Sequence, residues 1–239
     1  MKDMKIGILL TDHVMEELRG KHGDMDDFYK YIFSKVDPSI SLEIFDVVLG
    51  VYPKNIDDHQ GYLITGSRYS VYDNDDWIKK LKEFVIELNN LKKPLLGVCF
   101  GHQLIAQVLG GEVEEVKTGW TVGNQVYNLL NKLPWIKEDI SFFRLLHSHK
   151  DQVTKLPPKA KLIASTKKVP IAMYRVDNHI FSHQGHPEFK PEYVHDVASF
   201  RREILGDEVY LTAVENLKKE IPDNEMAAKW WVNFFRQKL

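Results

Sequence analysis

The stretch Lys93-Pro-Leu-Leu-Gly-Val-Cys99-Phe-Gly-His-Gln-Leu-Ile-Ala-Gln-Val-Leu-Gly110 decides how the rest of the chain is read. Pro94 to Val98 is a short apolar run bounded by Pro and Gly, the pattern of a strand buried on both faces. Beyond it Leu104, Ile105, Val108 and Leu109 recur at helical spacing, and Gly110-Gly111 stops the helix. The only cysteine of the protein stands at the corner where strand becomes helix, the arrangement of a nucleophile elbow. A sulfur at that corner lies beside the helix's N-terminal amides, which favour its anionic, reactive form. A lone cysteine is otherwise a small buried hydrophobe. Gly97 and Gly101, which allow the backbone to close in around the sulfur, favour the nucleophile.

Working outward, Lys5 to Leu10, Ser41 to Val48 and Gly61 to Thr65 read as strands. Thr11 to Met25 is mostly polar and reads as a long loop. A helix capped by Asp26-Asp27 carries Phe28, Tyr29, Ile32, Phe33 and Val36, and another starting at Asp75-Asp76 presents Trp77, Leu81, Phe84, Val85 and Leu88. Strands alternating with helices imply an α/β fold, an open and mostly parallel sheet flanked by helices. Sites in such sheets form at the carboxyl ends of the strands, here the loop after Leu10, the Gly66-Ser67 turn and Cys99.

After Gly111 the pattern changes. Residues 112–116, 122–130, 141–146, 160–165, 171–176 and 180–183 are short alternating segments, a β-rich and partly antiparallel second half. Helices are expected over 191–205, 208–218 and 223–239, the last with Trp230, Trp231, Phe234 and Phe235 at four-residue spacing. That aromatic face fits packing on the chain's own sheet, with a homodimer surface as the alternative. A single domain over 1–239 is expected, with a core at about 5–190 and a helical extension at 191–239.

Composition narrows the function classes. With 44% hydrophobic and 28% charged residues the chain is an ordinary globular protein with a sizeable core. A net charge of −2 gives no reason to expect nucleic acid or an anionic membrane as a partner. One cysteine excludes an intrachain disulfide framework and suits a reducing compartment. The apolar run at the N-terminus is too short for a signal peptide, and no stretch approaches a membrane span, so a cytoplasmic protein is expected.

A thiolate needs a base that also delivers a proton, and a group to orient that base. In His186-Pro187-Glu188, residues two apart in an extended segment share a face, so the carboxylate can hold one imidazole nitrogen while the other faces the sulfur. The metal reading of His147-x-His149 and His183-x-x-His186 lacks cysteines or a carboxylate at standard spacing, and no metal or other cofactor is expected. His102 reads as a packed helix residue, and Gly110-Gly111 lacks the Gly-Lys-Ser/Thr of a phosphate loop.

Gly97-Val-Cys99-Phe-Gly101-His-Gln103, followed far downstream by His186-Pro187-Glu188, resembles the signature of the class I glutamine amidotransferases. Thr65-Gly66-Ser67-Arg-Tyr-Ser70-Val-Tyr72 is similar to that family's Ser-Gly-Gly-Pro-x-Ser-Val-Tyr-like turn, and Ser148-His149-Lys-Asp151-Gln-Val153 to a segment of its GMP-synthetase branch. The Gln-Gly-His-Pro-Glu form at 184–188 is similar to stand-alone members, including plant γ-glutamyl peptidases. The resemblance implies a flavodoxin-like fold, with Cys99 as nucleophile, His186 as general base and acid, and Glu188 as orienting carboxylate. It implies an oxyanion hole from the amides of Phe100, Gly66 and Ser67. Gln103, Ser148 and His149 would contact the glutamine-like moiety, with hydrolysis through a γ-glutamyl thioester.

Two departures stand out: Ser67-Arg68 replaces the family's Gly-Pro, and Lys150 replaces a glycine. No nucleotide-binding synthetase motif is present, so an amidotransferase would need a synthetase partner in trans. A γ-glutamyl peptidase acting on small γ-glutamyl compounds would need none, and its loop at 11–25 would shape the leaving-group pocket. A non-catalytic binding protein on the same fold is the third reading.

Overall fold

A computed structural model describes residues 4–237; the expected helix end at Lys238-Leu239 lies outside the described residues. The chain runs β1 (Met4–Leu10), α1 (Glu16–His22), α2 (Met25–Val36), β2 (Ile40–Asp46), β3 (Gly61–Ile64), α3 (Asp76–Asn90), β4 (Leu95–Val98) and α4 (Phe100–Val108). It continues with β5 (Glu112–Glu115), β6 (Thr121–Leu129), β7 (Phe142–His149), β8 (Asp151–Lys155), β9 (Ala160–Thr166), β10 (Met173–Val176) and β11 (Ile180–His183). It ends with α5 (Pro191–Phe200), α6 (Arg202–Leu205), α7 (Asp207–Lys219) and α8 (Asn224–Arg236).

Among the described residues, nine strands form one sheet in the order β2-β1-β3-β4-β11-β10-β9-β6-β7. From β2 to β11 every pairing is parallel; from β11 to β7 every pairing is antiparallel. The β-rich second half thus extends the parallel sheet, and β5 and β8 pair separately beside it. Alternate residues of a strand serve opposite faces. Ile6, Ile8 and Leu10 join the apolar cluster under α2, α5 and α8, whereas Leu9, Tyr62 and Ile64 join the one under α3 and α4. Helices on both faces of an open sheet whose site-bearing half, β2 to β11, is parallel are the expected architecture.

The C-terminal aromatics belong to the chain's own core. Trp230, Trp231 and Phe234 are fully buried and Phe235 nearly so, which leaves that face no surface for a second copy. Trp231 stacks on Tyr29 of α2 and, at an interplanar angle of 7°, on His183 at the end of β11. Truncating such a residue to alanine typically costs about 3–5 kcal/mol.

Several expected boundaries move. Residues 11–25 contain α1, which buries none of its residues and so leaves no apolar periodicity to read. Helix α2 is capped by Asp24 rather than Asp26-Asp27, in a reciprocal capping box with Asp27. The α3 face is completed by Ile78, Leu81, Val85 and Leu88, with Trp77 and Phe84 at its edge. The helix expected over 191–205 is split at Arg201. Strand β7 runs on to His149, and β8 follows after a single residue.

Candidate active site

Strand β4 lies between β3 and β11 with Leu95, Leu96 and Val98 fully buried, so its carboxyl end is fixed from both sides. Cys99 leaves it with φ 52° and ψ −100°, a left-handed conformation costly for any residue with a Cβ, and serves as N-cap of α4. Turning this sharply requires bare backbone nearby. A Cβ on Gly101 would sit 2.5 Å from the Ile64 carbonyl oxygen and one on Gly97 2.7 Å from the Gly101 backbone. The register Val98↔His183 sets Cys99 beside the end of β11, and the Cys99 amide donates to the His183 carbonyl at 3.0 Å. The chain then passes through Gln184-Gly185 to His186, whose amide donates to Leu146 of β7 at 2.8 Å.

His186 Nδ1 lies 2.7 Å from Glu188 Oε1, and the imidazole stacks face to face on Phe189 at a centroid distance of 3.9 Å. Its other nitrogen, Nε2, is buried and has no hydrogen-bond partner among the described residues. A Cβ on Gly66 would come within 2.7 Å of His186 Cε1 and 3.5 Å of the Cys99 Cβ, which shows how tightly turn, imidazole and cysteine converge. Burial alone would lower the His186 pKa; the Glu188 charge, then Cys99, overcome this and raise it to about 10. The four buried histidines around it behave oppositely. Desolvation lowers His102, His149 and His183 to about 3, and His147 well below its ordinary value.

Their hydrogen bonds explain why these four stay neutral. His149 Nδ1 donates to the Asp151 carbonyl (3.0 Å), so its Nε2 accepts from His147 Nδ1 (2.8 Å), whose Nε2 in turn accepts from the Tyr127 hydroxyl (2.7 Å). His183 donates to the Gly185 carbonyl and accepts from the Trp231 indole, each ring nitrogen thus occupied. His102 is held between Ser182 and the Ile171 carbonyl.

The three catalytic candidates, Cys99, His186 and Glu188, are therefore brought together and buried. The turn at Gly66-Ser67 meets them; among the described residues the amides of Ser67 and Phe100 take no backbone partner, the Gly66 amide faces the Tyr29 hydroxyl, and Gly101 donates to Thr65. Gln103 donates to the Asp151 carbonyl at 2.7 Å and to Gln184 Oε1 at 3.1 Å. Ser148 and His149 line the same cleft, His149 with its ring committed to the hydrogen-bond chain.

The departures from the family turn have local partners. Ser67 Oγ donates to the Thr11 carbonyl at 2.9 Å. The Arg68 amide (2.8 Å) and Nε (3.0 Å) both donate to Asp12, so the loop after β1 holds the shape that Gly-Pro would otherwise supply. Lys150 points away to Glu115 at 2.7 Å. Sequence reasoning missed four residues. Tyr29 donates to Glu188 Oε1 at 3.0 Å, Gln184 Nε2 lies 3.4 Å from the cysteine sulfur, Phe189 backs the imidazole, and Arg201 lines the cleft. The stretch 184–189 held a signal for Gln184 and Phe189; Tyr29 and Arg201 sit on helices whose local pattern reads only as core and surface.

Residues 46–204 match the family model for glutamine amidotransferase class-I, and the chain belongs to that family. It is 31% identical to γ-glutamyl peptidase 4 of Arabidopsis thaliana over 194 residues, 78% of this chain and 76% of that protein. It is 29% identical to a glutamine-hydrolysing GMP synthase of Bacteroides fragilis over 73% of this chain but only 36% of that one. The fold is similar to the crystal structure of a glutamine amidotransferase from Thermotoga maritima, with a TM-score of 0.78, 16% identity, and coverage of 99% of this chain and 100% of that one. Among the described residues no helix is long and apolar enough to cross a membrane.

Proposed function

We propose that the protein is a cysteine hydrolase that opens γ-glutamyl amide bonds through a γ-glutamyl thioester on Cys99. The observation that carries this reading is the state of His186. Of the buried histidines in and around the cleft it alone has a raised pKa, it is bound through Nδ1 by Glu188, and its Nε2 edge is left to the cysteine. The Glu188 charge favours a protonated ring, in which Nδ1–H donates to Glu188 and Nε2–H faces the sulfur.

The anionic sulfur attacks the γ-carbonyl carbon, and the oxyanion forms against the amides of Phe100, Ser67 and Gly66. Each such donor contributes about 3 kcal/mol where the charge develops. The C–N bond breaks as His186 gives its Nε2 proton to the departing nitrogen, leaving the acyl group on the sulfur. The neutral imidazole then takes a proton from water, whose oxygen attacks the thioester and releases glutamate and the thiolate. Gln103 and the Ser148-His149 segment hold the glutamyl end. Ser67, Arg68 and Asp12 keep the oxyanion turn in place.

The match to a γ-glutamyl peptidase over most of both chains supports a small γ-glutamyl compound as substrate and a reaction without a partner. The GMP synthase match supports a second reading, glutamine hydrolysis with ammonia passed to a synthetase in trans. Incubating the protein with glutamine and with γ-glutamyl peptides, beside Cys99→Ala, separates them. Peptide cleavage without glutaminase activity supports the peptidase; ammonia release only with a synthetase added supports the amidotransferase. Equal traces in wild type and Cys99→Ala overturn both.

A further inference from the structure

The cleft at Cys99 has two chambers. His186, Phe189 and Met25 line one, Gln103, His149 and Asp151 the other, and Ser67, Arg68, Cys99, Ser148 and Arg201 line both. The first chamber is where a departing nitrogen would meet its proton donor. Its α5 side is apolar, from Tyr193, Val194 and Val197, with Asp12, Ser67 and Arg68 elsewhere in the wall, and Arg201 follows directly as the C-cap of that helix.

Arg201 differs from the chain's other arginines. Arg19 donates to the Val14 carbonyl, Arg68 to Asp12, Arg144 to Glu220, Arg175 to the Asp177 carbonyl, Arg202 to Asp207 and Arg236 to Asp37. The Arg201 guanidinium has no hydrogen bond and no ion pair among the described residues; its Cζ lies 5.8 Å from the centroid of the Trp120 ring. The carboxylate of this chamber, Asp12, is already taken, with Arg68 Nε 3.0 Å from both of its oxygens. Burial lowers the Arg201 pKa from the usual arginine value, with Tyr193 and Asp12 opposing and Arg68 adding to the shift. A partly buried guanidinium has lost some of its hydration and here gains no protein anion in exchange.

The geometry points to Arg201 as the binding group for a carboxylate carried by the leaving amine, which makes the substrate a γ-glutamyl amino acid or peptide with an apolar side chain. This rests on the γ-glutamyl hydrolase reading above. Glutamine, whose leaving group is ammonia, brings no leaving-group carboxylate to Arg201 and leaves the apolar α5 side unused.

The test compares γ-glutamylleucine with γ-glutamylleucinamide, which differ only in that carboxylate. Wild type should favour the acid in kcat/KM by about 10- to 100-fold, the range for a charge-assisted hydrogen bond. Arg201→Gln should lose that preference by slowing the acid and sparing the amide, and Arg201→Lys should restore part of it, melting temperatures confirming that both variants fold. Equal slowing of acid and amide in Arg201→Gln, or no preference in wild type, overturns the assignment. Calorimetric binding of both compounds to Cys99→Ala, with and without Arg201→Gln, reads the same discrimination without turnover. If wild type hydrolyses neither compound, the enzymatic reading fails while the binding arm still decides Arg201: tighter binding of the acid that disappears with Arg201→Gln supports it, and equal binding refutes it.

Discussion

Substituting Gly66→Ala tests whether the imidazole is confined as described. Gly66 does not hold a left-handed conformation, so an alanine there carries no backbone penalty and the effect is steric. The new methyl would lie 2.7 Å from His186 Cε1, closer than real Cβ contacts come, with Cys99 Cβ at 3.5 Å behind it. The ring has little room to shift, because Phe189 stacks on one face at 3.9 Å and Glu188 holds Nδ1 at 2.7 Å. Overpacking of this kind costs about 1–3 kcal/mol, which lowers the melting temperature by about 2–12 °C for a chain of this size. A displacement of the proton carrier approaching an ångström costs about 100-fold in rate. The assay is kcat/KM on a γ-glutamyl peptide together with a melt, with Gly20→Ala as control, since nothing lies within 4 Å of a Cβ there and its helix should gain slightly. Gly66→Ala turning over within threefold of wild type would refute the confinement and, with it, His186 as the proton carrier.

Three further outcomes are expected. Tyr29→Phe removes a hydrogen bond to a buried carboxylate, worth about 1.5–3 kcal/mol, and should lower both the melting temperature and kcat/KM by about tenfold in the latter; an unchanged rate would show that Tyr29 does not support Glu188. Trp231→Phe leaves His183 Nε2 buried without its donor and should destabilise by about 1–3 kcal/mol in denaturant unfolding, whereas a neutral result would show that water replaces the indole. The third concerns pH. Because the folded pKa of His186, about 10, lies above its ordinary 6.5, its stabilisation is complete below about 6.5 and is lost as pH rises to about 10. Melting temperatures across that window should fall in wild type and fall less steeply in Glu188→Gln, which lacks the opposing charge; parallel slopes would contradict the assignment.

The elbow at Cys99 was legible because its signal is local: an apolar run, a break and a helical period lie within one stretch. The His186-Glu188 pair was legible for the same reason, a two-residue spacing in an extended segment. What could not be read depends on register and on side-chain reach between distant segments. Tyr29 meets Glu188 across 159 positions, and its place in an apolar helix period marks it only as core. Helix α1 buries nothing and so leaves no period. The effect of the Ser67-Arg68 departure could not be judged without knowing that the β1 loop brings Asp12 to it. Arg201 reads as one more charged residue near a helix end until the two chambers meeting at it are seen.

The central claim is that Cys99 carries the glutamyl group. Acid quenching of the enzyme during turnover of a γ-glutamyl peptide, followed by intact-mass and peptide mapping, tests it most directly. The account predicts one γ-glutamyl adduct, on the peptide containing Cys99, absent from Cys99→Ala and accumulating when His186 is replaced in a way that slows deacylation. Steady turnover with no adduct at Cys99, or turnover that survives in Cys99→Ala, would contradict it.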